Sequence, residues 1–176
     1  ESELIAEEDA IFLPPFQRAE VGAANRIRRI QHSQRDRLGA FKSFDWDAAF
    51  ALIDRDGSIH LTPLQSNAVR MALSEKVSVL TGGPGTGKST ITSSIIRLLK
   101  MRGGSVLLAA PTGRAAKRLN ETTGLDARTI HRLLEYRPKG GSPFARDNAN
   151  PLDTDLLIVD EASMIDILLA NHLLDA

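Results

Sequence analysis

The chain has 176 residues, with 22 Lys and Arg against 22 Asp and Glu, four His, no Cys, and 42% hydrophobic residues. That is enough apolar chain for one packed core, and zero cysteine excludes a disulfide framework, a thiolate nucleophile, an iron–sulfur cluster and any cysteine-based zinc site. No apolar run reaches the roughly 18 residues of a membrane-spanning helix, and the acidic start Glu1-Ser2-Glu3 lacks the basic region of a signal peptide, so a cytoplasmic protein with no membrane partner is expected.

The zero net charge is a sum of segregated blocks. Residues 1–12 hold five acids (Glu1, Glu3, Glu7, Glu8, Asp9) and no base. Residues 14–42 hold seven bases (Arg18, Arg26, Arg28, Arg29, Arg35, Arg37, Lys42) against Glu20 and Asp36. Residues 97–139 are again basic, and 150–176 carry six acids (Asp153, Asp155, Asp160, Glu161, Asp166, Asp175) with no Lys or Arg. Such a chain can turn a basic face to phosphates and an acidic site to a metal, although solvated helix faces would give the same blocks. A start on Glu1 rather than Met reads as a processed or excised piece of a longer protein.

In chain order, an apolar run from Ile11 stops at Pro14-Pro15, after which Ala23, Ile27 and Ile30 recur at helical spacing toward Arg37. A second helical pattern covers Asp45 to Ile53 and ends at the turn Asp54-Arg55-Asp56-Gly57, whose acids lack the spacing of a calcium loop. Thr62-Pro63 starts a helix with Leu64, Ala68, Met71 and Ala72 on its apolar face. Val77-Ser78-Val79-Leu80 reads as a buried strand, followed by a glycine-rich loop and a helix with Ile91, Ile95, Leu98 and Leu99 on one side, closed by Gly103-Gly104. Val106 to Ala110 is a second strand, leading through Pro111-Thr112-Gly113 into a basic helix with Arg114, Lys117 and Arg118. A short helix spans Thr129 to Glu135, an irregular stretch covers Tyr136 to Thr154, and Leu156 to Val159 forms a third strand ending at Asp160-Glu161. Strands with continuous apolar runs, separated by helices, predict an α/β fold with a parallel sheet covered on both faces, preceded by a mainly helical segment over residues 1–60.

Gly82-x-x-x-x-Gly87-Lys88-Ser89 satisfies the phosphate-loop pattern in its required context, a predicted strand before it and a helix after it. Gly83, Pro84, Gly85, Thr86, Gly87 and Thr90 complete the loop around the phosphates, because glycine lets backbone N–H groups turn inward where side chains would obstruct them. Lys88 supplies positive charge to the β- and γ-phosphates, and the Ser89 hydroxyl is placed to ligate Mg²⁺. Asp160, at the end of a buried strand, is the second candidate for holding magnesium, and Glu161 beside it is placed to orient and deprotonate an attacking water. That carboxylate favours hydrolysis over phosphoryl transfer to a metabolite.

The motifs Leu61-Thr62-Pro63-Leu64-Gln65, Gly82 to Thr90, Ala110 to Leu119, Ala127 to Leu134 and Val159-Asp160-Glu161-Ala162-Ser163-Met164 together resemble superfamily 1 DNA helicases of the RecD/TraA group. The resemblance covers about residues 60–176, with Leu13-Pro14-Pro15-Phe16 a weaker match to the segment before the motor. It implies a RecA-like P-loop NTPase motor over 61–176, incomplete at its C-terminus, with ATP and Mg²⁺ as ligands. Gln65 would read the adenine edge. Pro111, Thr112, Gly113 and Arg114, with Thr129 and His131, would contact the backbone of single-stranded DNA, as loop N–H groups, hydroxyls and bases can without reading sequence. The implied parent is a 5′ to 3′ helicase in DNA repair or recombination, with possible partner subunits in a helicase–nuclease complex. With the later helicase motifs missing, the piece is expected to bind ATP–Mg²⁺ modestly and hydrolyse it very slowly. A nucleotide-switched binding module without turnover, and a P-loop kinase or other DNA-independent NTPase, are the competing readings.

Overall fold

In the computed structural model, which describes residues 4–7, 9–55, 60–138 and 143–176, the chain opens with a short antiparallel hairpin of β1 (Ile5–Glu7) and β2 (Ala10–Phe12). Pro14 and Pro15 then occupy the first turn of α1 (Pro14–His32), where a missing N–H costs nothing. Ala19 and Ala23 are its buried residues, and between them Gly22 lies so close to the last helix that a Cβ there would sit 2.5 Å from Asn171 Oδ1. This small-residue face lets α1 lie flat on α7 (Ile167–Asp175), the most extensive helix–helix contact in the molecule.

A 3-10 turn (Gly39–Phe41) and α2 (Trp46–Arg55) follow. Phe41, Ala49 and Ile53 join Val69, Leu73, Ile91, Ile95, Leu98 and Leu99 in one buried cluster, so this early segment packs directly on α3 (Pro63–Ser74) and α4 (Lys88–Met101). Phe44, Trp46 and Phe50 extend it with edge and stacked ring contacts at 5.1–6.1 Å, and Arg70 and Arg102 lie over the rings of Trp46 and Phe44. Asp54 and Arg55 end α2, and the rest of the calcium-like turn, Asp56-Gly57, lies outside the described residues.

The α3 cap is as expected, with Thr62 Oγ1 accepting from Gln65 N. Its buried face differs, being centred on Val69 and Leu73 with Ala68 and Ala72 beside them, while Leu64 is 80% exposed. Helix α4 buries Ile91, Ile95, Leu98 and Leu99, as the sequence pattern predicts, and adds Ile96.

The sheet has three parallel strands in the order β4-β3-β5, with β3 (Val106–Ala110) central, β4 (Ala127–Thr129) on one side and β5 (Leu156–Val159) on the other. Val106, Leu108, Leu156 and Ile158 face α4 and α5 (Gly113–Thr123), whereas Leu107, Ala109, Leu157 and Val159 face α6 (Ile130–Leu133) and α7. Two covered faces explain the unbroken apolar runs. The α/β class with a parallel sheet and a helical N-terminal segment is therefore the architecture found, with one strand exchanged. Val77–Leu80 lies in no ladder and Val79 is 80% exposed: an apolar run becomes a strand only beside a partner, and among the described residues none of β3, β4 and β5 pairs with it. The third strand is instead the short Ala127–Thr129, recruited by β3 in the register Leu108↔Ala127.

The described residues on either side of 139–142 are tied together by hydrogen bonds. Tyr136 and Phe144 form an antiparallel bridge, Arg137 N donates to Pro143 O at 2.8 Å, and Arg146 clamps the base by donating from Nε to Glu135 Oε1 at 2.8 Å. Asp147 and Asn150 close a second turn. Among the described residues no helix is long and apolar enough to cross a membrane.

Candidate functional site

The glycine loop runs from an extended stretch at Thr81–Gly83 through a turn at Pro84–Thr86 into the N-terminus of α4. Gly85 (φ +76°) and Gly87 (φ +86°) are both left-handed, conformations that a side chain would penalise. A Cβ on Gly82 would lie 2.7 Å from Thr86 Oγ1, so a side chain there would have to displace that hydroxyl. That hydroxyl donates to Gly83 O at 2.9 Å and pulls the loop into a closed ring. Lys88 reaches back across the ring, Nζ donating to Gly82 O at 2.5 Å and Gly83 O at 3.0 Å. Lys88, Ser89 and Thr90 form the first turn of α4, and the α4 N–H groups and dipole are directed at the same loop. The result is a narrow backbone cradle with a cation across its mouth, which fits a polyphosphate.

Gln65 meets this loop from α3. Its Oε1 accepts from Thr62 N at 2.9 Å and its Nε2 donates to Thr86 O at 3.2 Å, so the capping residue of one helix touches the cradle formed before another.

Asp160 and Glu161 leave the C-terminal end of β5. Asp160 N donates to Ala109 O at 2.9 Å, which fixes the strand end, and Asp160 Oδ1 accepts from Glu161 N at 3.0 Å. Glu161 adopts φ +53°, ψ +40°, one of two non-glycine residues with positive φ among those described. A left-handed glutamate is strained, and such strain concentrates where a side chain must be aimed. The short Ala162–Met164 turn and the Asp166 cap, accepting from Leu169 N at 2.8 Å, then lead into α7.

The parallel register brings the remaining sequence-predicted residues to the same edge of the sheet. Ala110 pairs with Thr129 and Ala109 with Val159, so Pro111-Thr112-Gly113 after β3, Thr129 after β4 and Asp160-Glu161 after β5 all emerge together. Both threonines are helix caps, Thr112 Oγ1 accepting from Ala115 N at 3.2 Å and Thr129 Oγ1 from Arg132 N at 3.3 Å. Arg114, Lys117 and Arg118 stand exposed along α5, with Lys117 near Glu121. His131 packs edge-on against Tyr136 at 5.6 Å and against Phe144 at 5.8 Å, and His172 covers the other side of Phe144 at 4.9 Å. Sequence reasoning missed this aromatic cluster and the Glu135–Arg146 clamp beneath it. Their partners come from separate segments, and no spacing rule joins them.

The family model described as an AAA domain matches residues 65–176. The ATP-dependent RecD2 DNA helicase of Deinococcus radiodurans is 40% identical over 170 residues, which cover 96% of this chain and 22% of that protein. The RecBCD enzyme subunit RecD of Mycolicibacterium smegmatis is 40% identical over 135 residues, covering 64% of this chain and 24% of that one. The RecBCD subunit RecD of Haemophilus influenzae is 34% identical over 140 residues, covering 65% and 22%. The chain thus spans less than a quarter of the length of these relatives. With the closed glycine ring, the strand-end carboxylates and these likenesses in hand, the chain belongs to the AAA domain family, and the members it resembles are RecD-type helicases.

Proposed function

We propose that residues 61–176 are the nucleotide-binding portion of an ATP-driven DNA helicase motor, and that residues 1–60 form a pre-motor segment packed against it. The observation that carries this reading is the glycine ring closed by Thr86 and bridged by Lys88, in a chain whose β5 ends in Asp160-Glu161. The relatives' names, ATP-dependent DNA helicase and RecBCD subunit, support ATP as the substrate and DNA as the track.

In this reading Gly83 to Thr90 hold the triphosphate, and Lys88 leaves the Gly82 and Gly83 carbonyls to balance its charge. Ser89 and Asp160 would hold Mg²⁺, which when bound neutralises phosphate charge. Glu161 takes a proton from the attacking water as its oxygen bonds the γ-phosphorus and ADP departs with the bridging oxygen. Pro111 to Arg114, Thr129 and His131 lie on single-stranded DNA. Gly113 suits such a contact, since a Cβ there meets open space and nothing inside the chain demands glycine. Movement 5′ to 3′, a role in repair or recombination, cytoplasmic residence, and partner subunits of a helicase–nuclease complex complete the proposal.

The test is ATP hydrolysis by the full-length protein with and without single-stranded DNA. Stimulation by DNA is expected. Phosphate release indifferent to DNA would sink the helicase reading in favour of a DNA-independent NTPase.

A further inference from the structure

We propose that Gln65 is a positioning residue for the phosphate loop, locking the Thr86–Gly87 peptide in its cradle orientation. This rests on the nucleotide-binding reading above.

Both functional ends of the Gln65 amide are engaged by protein. Oε1 accepts from Thr62 N at 2.9 Å, and Nε2 donates to Thr86 O at 3.2 Å. The Thr86 carbonyl is thereby turned toward α3. Because a trans peptide is planar, with C=O and N–H on opposite sides, holding that carbonyl aims the Gly87 N–H away from α3. The orientation of one cradle donor is thus set by a side chain 21 residues earlier in the chain.

Gly87 carries the complementary evidence. Its φ of +86° already favours glycine, and a Cβ on it would also collide with Gln65 Nε2. A side chain at 87 and the Gln65 amide therefore compete for the same space. The anchor behind Gln65 is stiff. Thr62 Oγ1 accepts from Gln65 N at 3.3 Å to complete a reciprocal capping box, and Val69 and Leu73 of the same helix are fully buried against α4, the helix that begins at the loop. One acceptor lone pair and one N–H of the amide are thus held by protein.

The experiment uses the full-length protein with Gln65→Glu and Gln65→Met. Glutamate retains the acceptor for Thr62 N, so the capping box survives, but it has no donor for Thr86 O. Methionine removes the donor without adding charge but also loses the acceptor for Thr62 N, so the two variants together separate the loop contact from the capping box. Without nucleotide, hydrogen exchange in the peptide spanning Gly82–Ile91 is expected to quicken in both variants while peptides of β3 and β5 stay unchanged. With nucleotide, affinities for Mg²⁺-ATP and Mg²⁺-GTP should both fall, roughly tenfold. Unchanged exchange in the loop overturns the lock. So does a loss confined to ATP, which would make Gln65 a base reader. Failure of the wild type to bind either nucleotide would instead defeat the nucleotide-binding reading, and the exchange result would still decide whether the lock exists.

Discussion

Arg26 and Asp175 stand 149 residues apart in the chain, yet Arg26 Nε lies 2.9 Å from Asp175 Oδ1, and Asn171 Oδ1 accepts from the same guanidinium. Arg29 adds a bond to Asn148 Oδ1 at 3.0 Å, and Arg37 pairs with Asp153 at 2.8 Å and Asp155 at 3.6 Å. Two of the seven bases in the early block, Arg26 and Arg37, are thus paired with carboxylates of the late acidic block within one molecule, and Arg29 meets the Asn148 amide.

The Arg26 pair is half-buried and hydrogen-bonded twice, so Arg26→Ala should cost on the order of 1–2 kcal/mol. Urea melts of Arg26→Ala, Asp175→Ala and the double variant would measure it. A coupling energy near 1 kcal/mol is expected, and strictly additive losses would show that the contact carries no stability of its own.

Lys88→Ala should abolish DNA-stimulated ATP hydrolysis in the full-length protein, by roughly 10²-fold or more, with the thermal transition almost unmoved. Among the described residues the Lys88 ammonium hydrogen-bonds to two carbonyls of an exposed loop, so the fold has little to lose. Retained turnover would refute its assignment.

Thr112 has two roles that substitution can separate. Thr112→Val removes the cap on Ala115 N and should cost about 1 kcal/mol, whereas Thr112→Asp keeps a capping oxygen but sets a negative charge where DNA phosphate is proposed to lie. Single-stranded DNA binding, followed by fluorescence anisotropy at fixed salt, should drop in the stable aspartate variant. Equal binding by wild type and Thr112→Asp would remove this loop from the DNA interface.

Asp155 links the starts of β3 and β5, accepting from Ser105 N at 2.8 Å and Ser105 Oγ at 2.9 Å with Arg37 nearby. The Ser105 backbone N–H, then its hydroxyl, hold this carboxyl below the usual aspartate value of 3.8, outweighing burial. A pKa lower when folded means the ionised form favours folding. The contribution is complete above about pH 4 and is lost as pH falls through the lower folded value. Asp155→Asn should therefore destabilise by about 1 kcal/mol at neutral pH, and the gap should close in acid. A gap that widens on acidification would reverse the sign of the linkage.

Local features were the legible ones. The glycine loop, the Thr62 cap and strands 106–110 and 156–159 depend on residues within a few positions of one another, and spacing alone identifies them. Val77–Leu80 misled because its apolar run carries strand composition but no information about a partner. Ala127–Thr129 was invisible because Ala-Arg-Thr has no strand pattern, and it is extended only because β3 lies alongside. The Arg26–Asp175 and Gln65–Thr86 contacts needed the fold before they could be seen, since each joins segments whose meeting no periodicity encodes.

The left-handed backbone of Glu161 has a consequence for selection. Glycine at that position would relieve roughly 1–2 kcal/mol of strain, so a screen that rewards only heat resistance should enrich Glu161→Gly. If Glu161 is the base, the winners of such a screen would be the variants that no longer turn over. Any effort to make a sturdier version must therefore score turnover alongside melting.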